Sequence, residues 1–135
     1  MRTVLVVAAV VVENGRVLVT QRKAGTHLAG AWEFPGGKLL PGEDPRVGLR
    51  RELREELGIE TAVGEIVDVT FHEYPDVDKA VLLMFFEAQR TASSMAPVAI
   101  DVAAFDWFGA SDLDPARFPP ADVAILEKAR KRLKD

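Results

Sequence analysis

Three glutamates lie close together on one predicted helix of the 135-residue chain: Glu52, Glu55 and Glu56. At 100° per residue they fall within about 100° of one another on the helix surface. Carboxylates at this spacing repel each other, and a bound divalent cation would relieve that repulsion. Hard oxygen ligands in a chain without cysteine suit Mg²⁺ or Mn²⁺, which commonly bridge protein carboxylates and substrate phosphates. The alternative is a solvated acidic face, partly paired with Arg51 and Arg54.

The helix that carries these glutamates has clear signals at both ends. Asp44 is a favoured N-cap residue, and Pro45 follows it in the first turn, where a missing N–H does no harm. Gly58 tolerates the left-handed conformation that ends a helix. The side next to the glutamates is apolar and should be buried; it carries Leu49, Leu53 and Leu57.

The residues around this helix resemble the Nudix box at every defining position. Five residues separate Gly37 from Glu43, and seven more lead to the run RELREELGI, residues 51–59. Nine specified positions at fixed spacing are far more selective than a single glycine motif. By this resemblance the chain is identified as a Nudix hydrolase with the Nudix fold, which acts on phosphoanhydride bonds.

The resemblance also implies roles for the residues of the box. Arg51 lies one turn before Glu55, so it should pair with that side chain and orient it. Glu43 is either structural or a support for the ligands. The general base is either Glu52 or a carboxylate outside the box. The implied ligands for Mg²⁺, or for Mn²⁺ in its place, are Glu52, Glu55, Glu56 and the Gly36 carbonyl.

Two flanking segments narrow the resemblance to MutT-type Nudix enzymes: WEFPGGK at residues 32–38 and FPPAD at residues 118–122. Enzymes of this type cleave nucleoside triphosphates to the monophosphate and pyrophosphate, by attack of water on the β-phosphorus. Many remove modified nucleotides such as 8-oxo-dGTP, and some act on cytidine nucleotides. The implied nucleotide contacts are Arg22, His27, Glu33, Phe34, Gly36, Gly37, Lys38 and Asp122.

Asp101 departs from this pattern. It lies six residues before Trp107, where the MutT-type pattern offers a glutamate as a further metal ligand or base. Aspartate keeps the charge but shortens the reach by one methylene group. We therefore include Asp101 only as a candidate ligand or base.

Asp122 also departs from the MutT-type pattern. Enzymes of this type that act on 8-oxoguanine nucleotides have asparagine at this position. An amide both donates and accepts hydrogen bonds, whereas an ionised carboxylate only accepts. The change should favour bases that present N–H donors, such as the amino group of cytosine or N1–H and N2–H of guanine. This makes a CTP- or dCTP-type pyrophosphohydrolase the main alternative. Asp122 is also a candidate N-cap of the last helix.

Several of the singled-out residues have simpler explanations. Arg22 is also consistent with a strand end, and His27 with an ordinary surface loop. His72 is expected to be structural. The rings of Trp32 and Trp107 are expected to pack in the core or at a rim rather than against a base.

Composition limits the remaining possibilities. The length indicates one domain, residues 1–135, with a substantial core. A net charge of −4 argues against nucleic-acid binding, and the absence of cysteine fits a cytoplasmic protein. The apolar run Val4–Val12 is too short to span a bilayer and is Val-rich, so we predict a buried strand and no membrane association. The expected partner is a small nucleoside triphosphate, and the chain is either a monomer or a homodimer.

The order of elements predicts an α/β/α sandwich around a mixed sheet. Asn14-Gly15 is a hairpin signal, and Lys23–Ala31 is a predicted loop. The predicted strands are Val4–Val12, Arg16–Arg22, Trp32–Phe34, Glu60–His72, Lys79–Gln89 and Val98–Phe108. The final helix, Ala121–Leu133, should be buried through Val123, Leu126, Ala129 and Leu133.

Two other functions agree less well with the residues. Nucleotide-sensing Nudix modules typically have damaged boxes, whereas here all three glutamates are present. The signatures expected after the box in ADP-ribose hydrolases are not evident. The basic tail is most simply a solvated helix end that complements the helix dipole; it comprises Lys128, Arg130, Lys131, Arg132 and Lys134.

Overall fold

The computed structural model describes residues 1–133. It has eight strands and two α-helices, α1 (Pro45–Leu57) and α2 (Ile125–Arg132). Short 3-10 turns follow β6 and precede α2. The strands are β1 (Arg2–Val10), β2 (Val12–Glu13), β3 (Arg16–Gln21), β4 (Trp32–Glu33), β5 (Gly36–Lys38), β6 (Thr61–Tyr74), β7 (Lys79–Arg90) and β8 (Ala104–Phe108).

The main sheet is mixed and has the strand order β5-β1-β7-β6. β1 and β7 are parallel, while β5 and β6 pair antiparallel with their neighbours. In a smaller sheet, β3 pairs antiparallel with β2, β4 and β8. The hairpin between β2 and β3 turns at Asn14 and Gly15, both at positive φ, as the Asn-Gly signal predicts.

Alternate residues of β1 enter two different cores. Ala8 and Val10 pack in the cluster that includes the buried residues of α2. Val7 and Ala9 pack in the cluster that includes the leucines of α1. Because successive side chains of a strand point to opposite faces, the sheet lies between the two helices. The predicted α/β class, an α/β/α sandwich with a mixed sheet, is confirmed.

Both predicted ends of α1 are confirmed. The Asp44 carboxylate accepts the backbone N–H of Arg46 at 2.8 Å and that of Val47 at 3.2 Å. Gly58 has φ 67°, and its N–H donates to Arg54 O at 2.9 Å. The three leucines of the apolar side are fully buried. The caps fix where α1 begins and ends, and the buried leucines fix which side of it faces the core.

The predicted strand Val98–Phe108 is wrong in its first half, because β8 begins only at Ala104. The segment before it donates instead to carbonyls at the end of α1. Val98 N–H binds Leu57 O at 3.0 Å, and Ile100 N–H binds Glu56 O at 2.9 Å. The last carbonyls of a helix lack partners within the helix, so these bonds compete with strand pairing.

The predicted final helix is too long at its start. A 3-10 turn, Pro120–Asp122, precedes α2, and the helix itself begins at Ile125. Val123, expected to be buried, is 40% exposed, whereas Leu126, Ala129 and Leu133 are buried as expected. The turn breaks the helical period that the prediction extended back to Ala121.

Arg130, Lys131 and Arg132 lie in the last turn of α2, as the dipole interpretation predicts, and three residues of the basic tail also form side-chain contacts. Arg130 donates to Leu113 O at 2.7 Å, and Arg132 forms an ion pair with Glu87 at 2.9 Å. Lys128 lies 3.3 Å from Asp68. Lys134 lies outside the described residues. Among residues 1–133, no helix is both long enough and apolar enough to cross a membrane.

Candidate active site

Glu52, Glu55 and Glu56 form the acidic face of α1. Arg51 is the centre of a network of ion pairs at the start of this face. Its Nε and Nη2 donate to the two carboxylate oxygens of Glu43 at 2.8 and 2.9 Å. Its Nη1 donates to Glu52 at 2.9 Å and to Glu55 at 3.0 Å. The Arg51 hydrogen bonds lower the pKa of Glu43 to about 2. The predicted pairing of Arg51 with Glu55 is confirmed, and Glu43 supports Arg51 rather than facing the cavity described below.

Two glycines let β5 pass close to the acidic face. A Cβ on Gly37 would lie 2.4 Å from Glu52 Oε2, and one on Gly36 would lie 1.9 Å from Val7 O. Position 36 requires glycine, because a Cβ there would collide with the backbone of β1, whereas a Cβ at position 37 would fit only if the Glu52 side chain moved. The Gly36 N–H donates to Glu56 Oε1 at 3.2 Å. The start of β5 therefore brings backbone directly against two of the three glutamates, Glu52 and Glu56.

The side chain of Glu56 has a strongly raised pKa. Burial raises its pKa to about 9, and the charges of Glu33 and Glu52 act in the same direction. Burial also raises the pKa of Glu52, against the opposing hydrogen bond from Arg51. Several acidic groups thus share a poorly solvated space, and a cation would reduce the cost of ionising them.

The candidate metal ligands are of the chemical type that a hard divalent cation prefers. Their side chains offer carboxylate oxygens, in a chain without thiols. Among residues 1–133, no three acidic or histidine side chains already converge in a metal-holding arrangement. Protein donors bind these oxygens instead: Arg51 donates to Glu52 and Glu55, and the Gly36 N–H donates to Glu56. The assignment of the ligands, including the Gly36 carbonyl, remains a prediction.

A cavity of about 250 Å³ adjoins this face, and Glu56 forms part of its wall. Its apolar floor includes Val6, Val81 and Leu83 from the main sheet. All eight predicted nucleotide contacts line this one cavity. They are Arg22, His27, Glu33, Phe34, Gly36, Gly37, Lys38 and Asp122.

Arg22 is tied to its surroundings by two kinds of bond. Its Nη1 donates to both oxygens of Glu33, at 3.1 and 3.3 Å. Its Nε donates to the backbone carbonyl of His27 at 2.7 Å. Burial raises the pKa of Glu33, and the charge of Arg22 opposes that shift. Arg22 therefore does more than end a strand, because it fixes both an acidic side chain and the neighbouring loop.

Asp122 is buried, with 5% of its surface exposed. The N-cap of α2 is Ala124, so the interpretation of Asp122 as a cap of the last helix is wrong. Burial raises the pKa of Asp122 well above its usual range, and the charge of Glu33 adds to the shift. A protonated carboxyl group both donates and accepts, as asparagine does. The contrast drawn above between Asp122 and an asparagine therefore depends on the protonation state.

Phe34 and the tryptophans belong to the packing of the domain. Phe34 is buried, and its ring lies 5.8 Å from those of Phe85 and Phe118. Trp32 packs on Phe108 at 5.1 Å. Trp107 packs against the core on the α1 side of the sheet. Both tryptophans are partly buried and pack against core clusters, in agreement with the predicted packing in the core or at a rim.

Asp101 lies beside the acidic face without joining the network of Arg51. It is more than half exposed and forms an ion pair with Lys23. Its backbone N–H donates to Glu56 O at 3.2 Å. Together with Glu33 and Glu56 it lines a shallow cleft on the other side of Arg22. This placement brings Asp101 near the candidate ligands, and its own role remains a prediction.

Two polar residues of the cavity, Tyr74 and Lys79, were not predicted from the sequence. Tyr74 is the only tyrosine in the chain, and its hydroxyl accepts the backbone N–H of Ala121 at 3.1 Å. Lys79 begins β7, and burial lowers its pKa, with the charge of Lys38 adding to the shift. The feature of the sequence that could have identified Tyr74 is its position immediately before the predicted Pro75-Asp76 turn. No local pattern marks Lys79.

The family follows from a direct comparison. The model of the NUDIX domain matches residues 1–129 of the chain. This chain belongs to the Nudix family. It is accordingly a hydrolase that acts on phosphoanhydride bonds. Nudix hydrolases generally depend on a divalent metal ion, and Nudix pyrophosphohydrolases act on small nucleotides.

Similar proteins agree with this assignment. The 8-oxo-dGTP diphosphatase of Escherichia coli is 31% identical, over 88% of this chain and 89% of that protein. The CTP pyrophosphohydrolase of Escherichia coli is 54% identical over 67 residues, a match that spans 50% of each chain. The solution structure of the E. coli ORF135 protein has a TM-score of 0.78 and 36% identity, and covers 99% of this chain and 92% of that one. The MutT NUDIX hydrolase from Burkholderia pseudomallei has a TM-score of 0.81 and 26% identity, with 94% of this chain and 98% of that chain covered.

Proposed function

We propose that this Nudix hydrolase is a Mg²⁺-dependent nucleoside triphosphate pyrophosphohydrolase. The reaction converts a nucleoside triphosphate and water to the monophosphate and pyrophosphate, and its biological role is to remove oxidised or modified nucleotides such as 8-oxo-dGTP. One observation carries the proposal. The eight candidate nucleotide contacts line a single cavity whose wall also includes Glu56 of the acidic face.

The acidic face is the proposed metal site. Glu52, Glu55 and Glu56 would hold the ion with the Gly36 carbonyl, and Asp101 is the candidate further ligand. Bound Mg²⁺, or Mn²⁺ in its place, supplies charge neutralisation and Lewis acidity toward the phosphate oxygens. The raised pKa values of Glu52 and Glu56 support this assignment, because crowded buried acids favour a compensating cation.

The protein's own groups would orient the substrate and move the proton. Arg51 holds Glu52 and Glu55 in place from one side of the helix. Glu52 or Asp101 accepts a proton from the attacking water as general base. Lys38, at the cavity wall, places a positive charge for the phosphate groups. The reaction needs charge neutralisation and in-line positioning, and these residues supply both.

The base would lie between Phe34, Glu33 and Asp122. An ionised Asp122 accepts from N–H donors, whereas a protonated Asp122 also donates. Burial beside Glu33 favours the protonated form in the free protein. The cavity thus suits a base that presents both N–H donors and a carbonyl acceptor. The guanine family fits this description, and so does cytosine.

A CTP- or dCTP-type pyrophosphohydrolase is the second candidate. The observation in its favour is the acid at position 122, where the 8-oxoguanine pattern has asparagine. The similarity to the E. coli CTP pyrophosphohydrolase points in the same direction. A non-catalytic nucleotide sensor is disfavoured, because the acidic face and its arginine are intact.

Steady-state kinetics on a substrate panel test the proposal. CTP, dCTP, GTP, dGTP and 8-oxo-dGTP are compared with Mg²⁺, with Mn²⁺ and with excess chelator. We expect pyrophosphate release that requires the metal, with one base strongly preferred. ADP-ribose should not be cleaved to monophosphates. Orthophosphate as the first product, or activity unaffected by chelation, would contradict the proposed reaction.

A further inference from the structure

The loop before β4 and the turn after β6 meet at the rim of the nucleotide cavity. His27 Nε2, from the loop, lies 2.9 Å from Asp76 Oδ2, in the turn. The two residues are 49 positions apart in the chain. The His27 side chain is 18% exposed, whereas that of Asp76 is 64% exposed. His27 lines the cavity, and Asp76 is absent from its lining.

The contact with Asp76 determines which nitrogen of His27 carries a proton. An ionised carboxylate only accepts hydrogen bonds, so His27 Nε2 must be the donor. In the neutral ring, Nδ1 is then the unprotonated nitrogen and is left as an acceptor. Without Asp76 the ring would keep only the modest preference for Nε2–H that a free imidazole side chain has, so a larger share of the neutral ring would carry its proton on Nδ1.

Other contacts hold the rest of His27 independently of Asp76. Arg22 donates to the His27 carbonyl at 2.7 Å, which fixes the backbone. The ring of Tyr74 packs edge-on against the imidazole, with centroids 5.1 Å apart and an interplanar angle of 87°. Tyr74 is anchored through its hydroxyl to Ala121 N–H, next to Asp122. Asp76 is thus left with one distinct task, the orientation and tautomer of the ring.

We propose that Asp76 is a positioning residue for His27, acting through the imidazole without touching the nucleotide. The inference rests on the proposed function in one respect, that His27 contacts the substrate. Asp76 sets the ring so that a defined nitrogen faces the nucleotide. Its removal therefore weakens nucleotide binding and leaves the chemistry at the acidic face intact.

Three variants at two neighbouring positions test this. Asp76→Ala removes the acceptor, whereas Asp76→Asn keeps a carbonyl oxygen at the same reach and loses only the charge. Asp78→Asn is the matched control. Asp78 lies in the same turn and is 85% exposed, and its contact with the N-terminal amine is a distant 3.9 Å. Asparagine also tolerates the left-handed backbone at position 78.

The measurements are KM and kcat with CTP and dGTP, calorimetric titration with CMP and GMP, and ¹⁵N NMR of the His27 ring. We expect Asp76→Ala to raise KM and the nucleotide dissociation constant about five- to tenfold, with kcat changed less than about twofold. Asp76→Asn and Asp78→Asn should stay within about twofold of wild type. The ring should show the Nε2–H tautomer in wild type and Asp76→Asn, and a mixture in Asp76→Ala.

A double-mutant cycle with His27→Ala separates positioning from a general structural effect. In the His27→Ala background, Asp76→Ala should cause no further loss of affinity. Equal losses in both backgrounds, or an unchanged His27 tautomer, would overturn the inference. If the wild-type protein cleaves no triphosphate, the proposed function fails. The tautomer and the titrations still decide the inference about Asp76 in that case.

Discussion

Two arginines organise two regions of this molecule in different ways. Arg51 belongs to α1, and its carboxylate partners lie within eight residues of it in the chain. Arg22 lies just after β3 and joins Glu33 to the loop at His27. The first network is set by one helix and the turn before it. The second region, the cavity proposed to bind the nucleotide, gathers residues from both sheets and from the turn before α2.

Because the two regions are built differently, we expect them to contribute differently to turnover and to binding. The acidic face has a fixed order of charges because helical periodicity places its side chains. The cavity depends on tertiary packing, so its detailed chemistry depends on residues that are far apart in the chain. We expect damage to the acidic face to abolish turnover, and changes in the cavity to alter affinity and base preference.

The largest effect is expected for Glu56→Gln. Glutamine keeps an oxygen that accepts the Gly36 N–H, so the fold should persist. It cannot supply the negative charge that a cation needs, so kcat should fall roughly 10²- to 10³-fold. Circular dichroism and steady-state kinetics are the measurements, and Glu65→Gln, on the exposed side of β6, is the control. Turnover close to wild type would remove Glu56 from the metal site.

Gly37→Ala should have the next largest effect. The added Cβ would lie 2.4 Å from Glu52 Oε2, so the carboxylate must move. A shift of about 1 Å at a reacting group can reduce turnover roughly 10²-fold. We expect a loss of kcat of about 10- to 100-fold. The Mg²⁺ concentration that gives half-maximal activity should also rise.

Gly109→Ala is the matched control for that variant. Gly109 has an ordinary φ of −81°, and its added Cβ would approach nothing closer than Asp112 Oδ2, at 3.7 Å. It should therefore retain wild-type kinetics. Equal behaviour of the two variants would show that the close approach of β5 to Glu52 has no functional consequence.

The same contrast explains what the sequence could predict. The ends of α1, its buried leucines and the pairing of Arg51 with Glu55 depend on neighbours a few residues away, and all are confirmed. The first half of the strand expected at Val98–Phe108 is wrong, because its apolar pattern does not reveal the free carbonyls at the end of α1. That information lies in the packing of two distant segments.

The cavity residues show the same limit in a different form. A resemblance located Asp122, but its burial beside Glu33, and hence the rise in its pKa, could not be inferred from its position in the chain. Likewise, His27 was identified, whereas its partner Asp76 lies 49 residues away and carries no motif. The resemblance selected these candidate residues, whereas tertiary contacts decide their protonation and orientation.

Asp122→Asn tests the cavity without touching the acidic face. Asparagine cannot ionise, whereas Asp122 can lose its proton to become a pure acceptor when a base that presents N–H donors, such as cytosine, binds beside it. We expect the ratio of kcat/KM for 8-oxo-dGTP over CTP to rise about tenfold, within the range for one altered polar contact. Asp106→Asn, an exposed change on β8, should leave the ratio unchanged. An unchanged order of preference in Asp122→Asn would exclude this residue from base recognition.

The smallest effect concerns a pair remote from both regions, Glu13 and Arg90. Arg90 donates to both oxygens of Glu13, and this hydrogen bonding lowers the Glu13 pKa from 4.5. A group with a lowered pKa stabilises the fold above its unfolded pKa, and this contribution is lost as the pH falls through the folded value. Glu13→Gln should therefore reduce the free energy of unfolding by up to about 1 kcal/mol at pH 7, a difference that shrinks below about pH 4.5.

Urea denaturation of both proteins between pH 7 and pH 3 measures that difference. Turnover at pH 7 should be unchanged in Glu13→Gln, because the pair joins β2 to the end of β7, away from the acidic face and the cavity. A loss of turnover without further loss of stability would connect this pair to the site, and the division between the two regions would then be incomplete. A difference in stability that grows toward acid would instead require that the Glu13 pKa is raised in the fold, contrary to its contacts with Arg90.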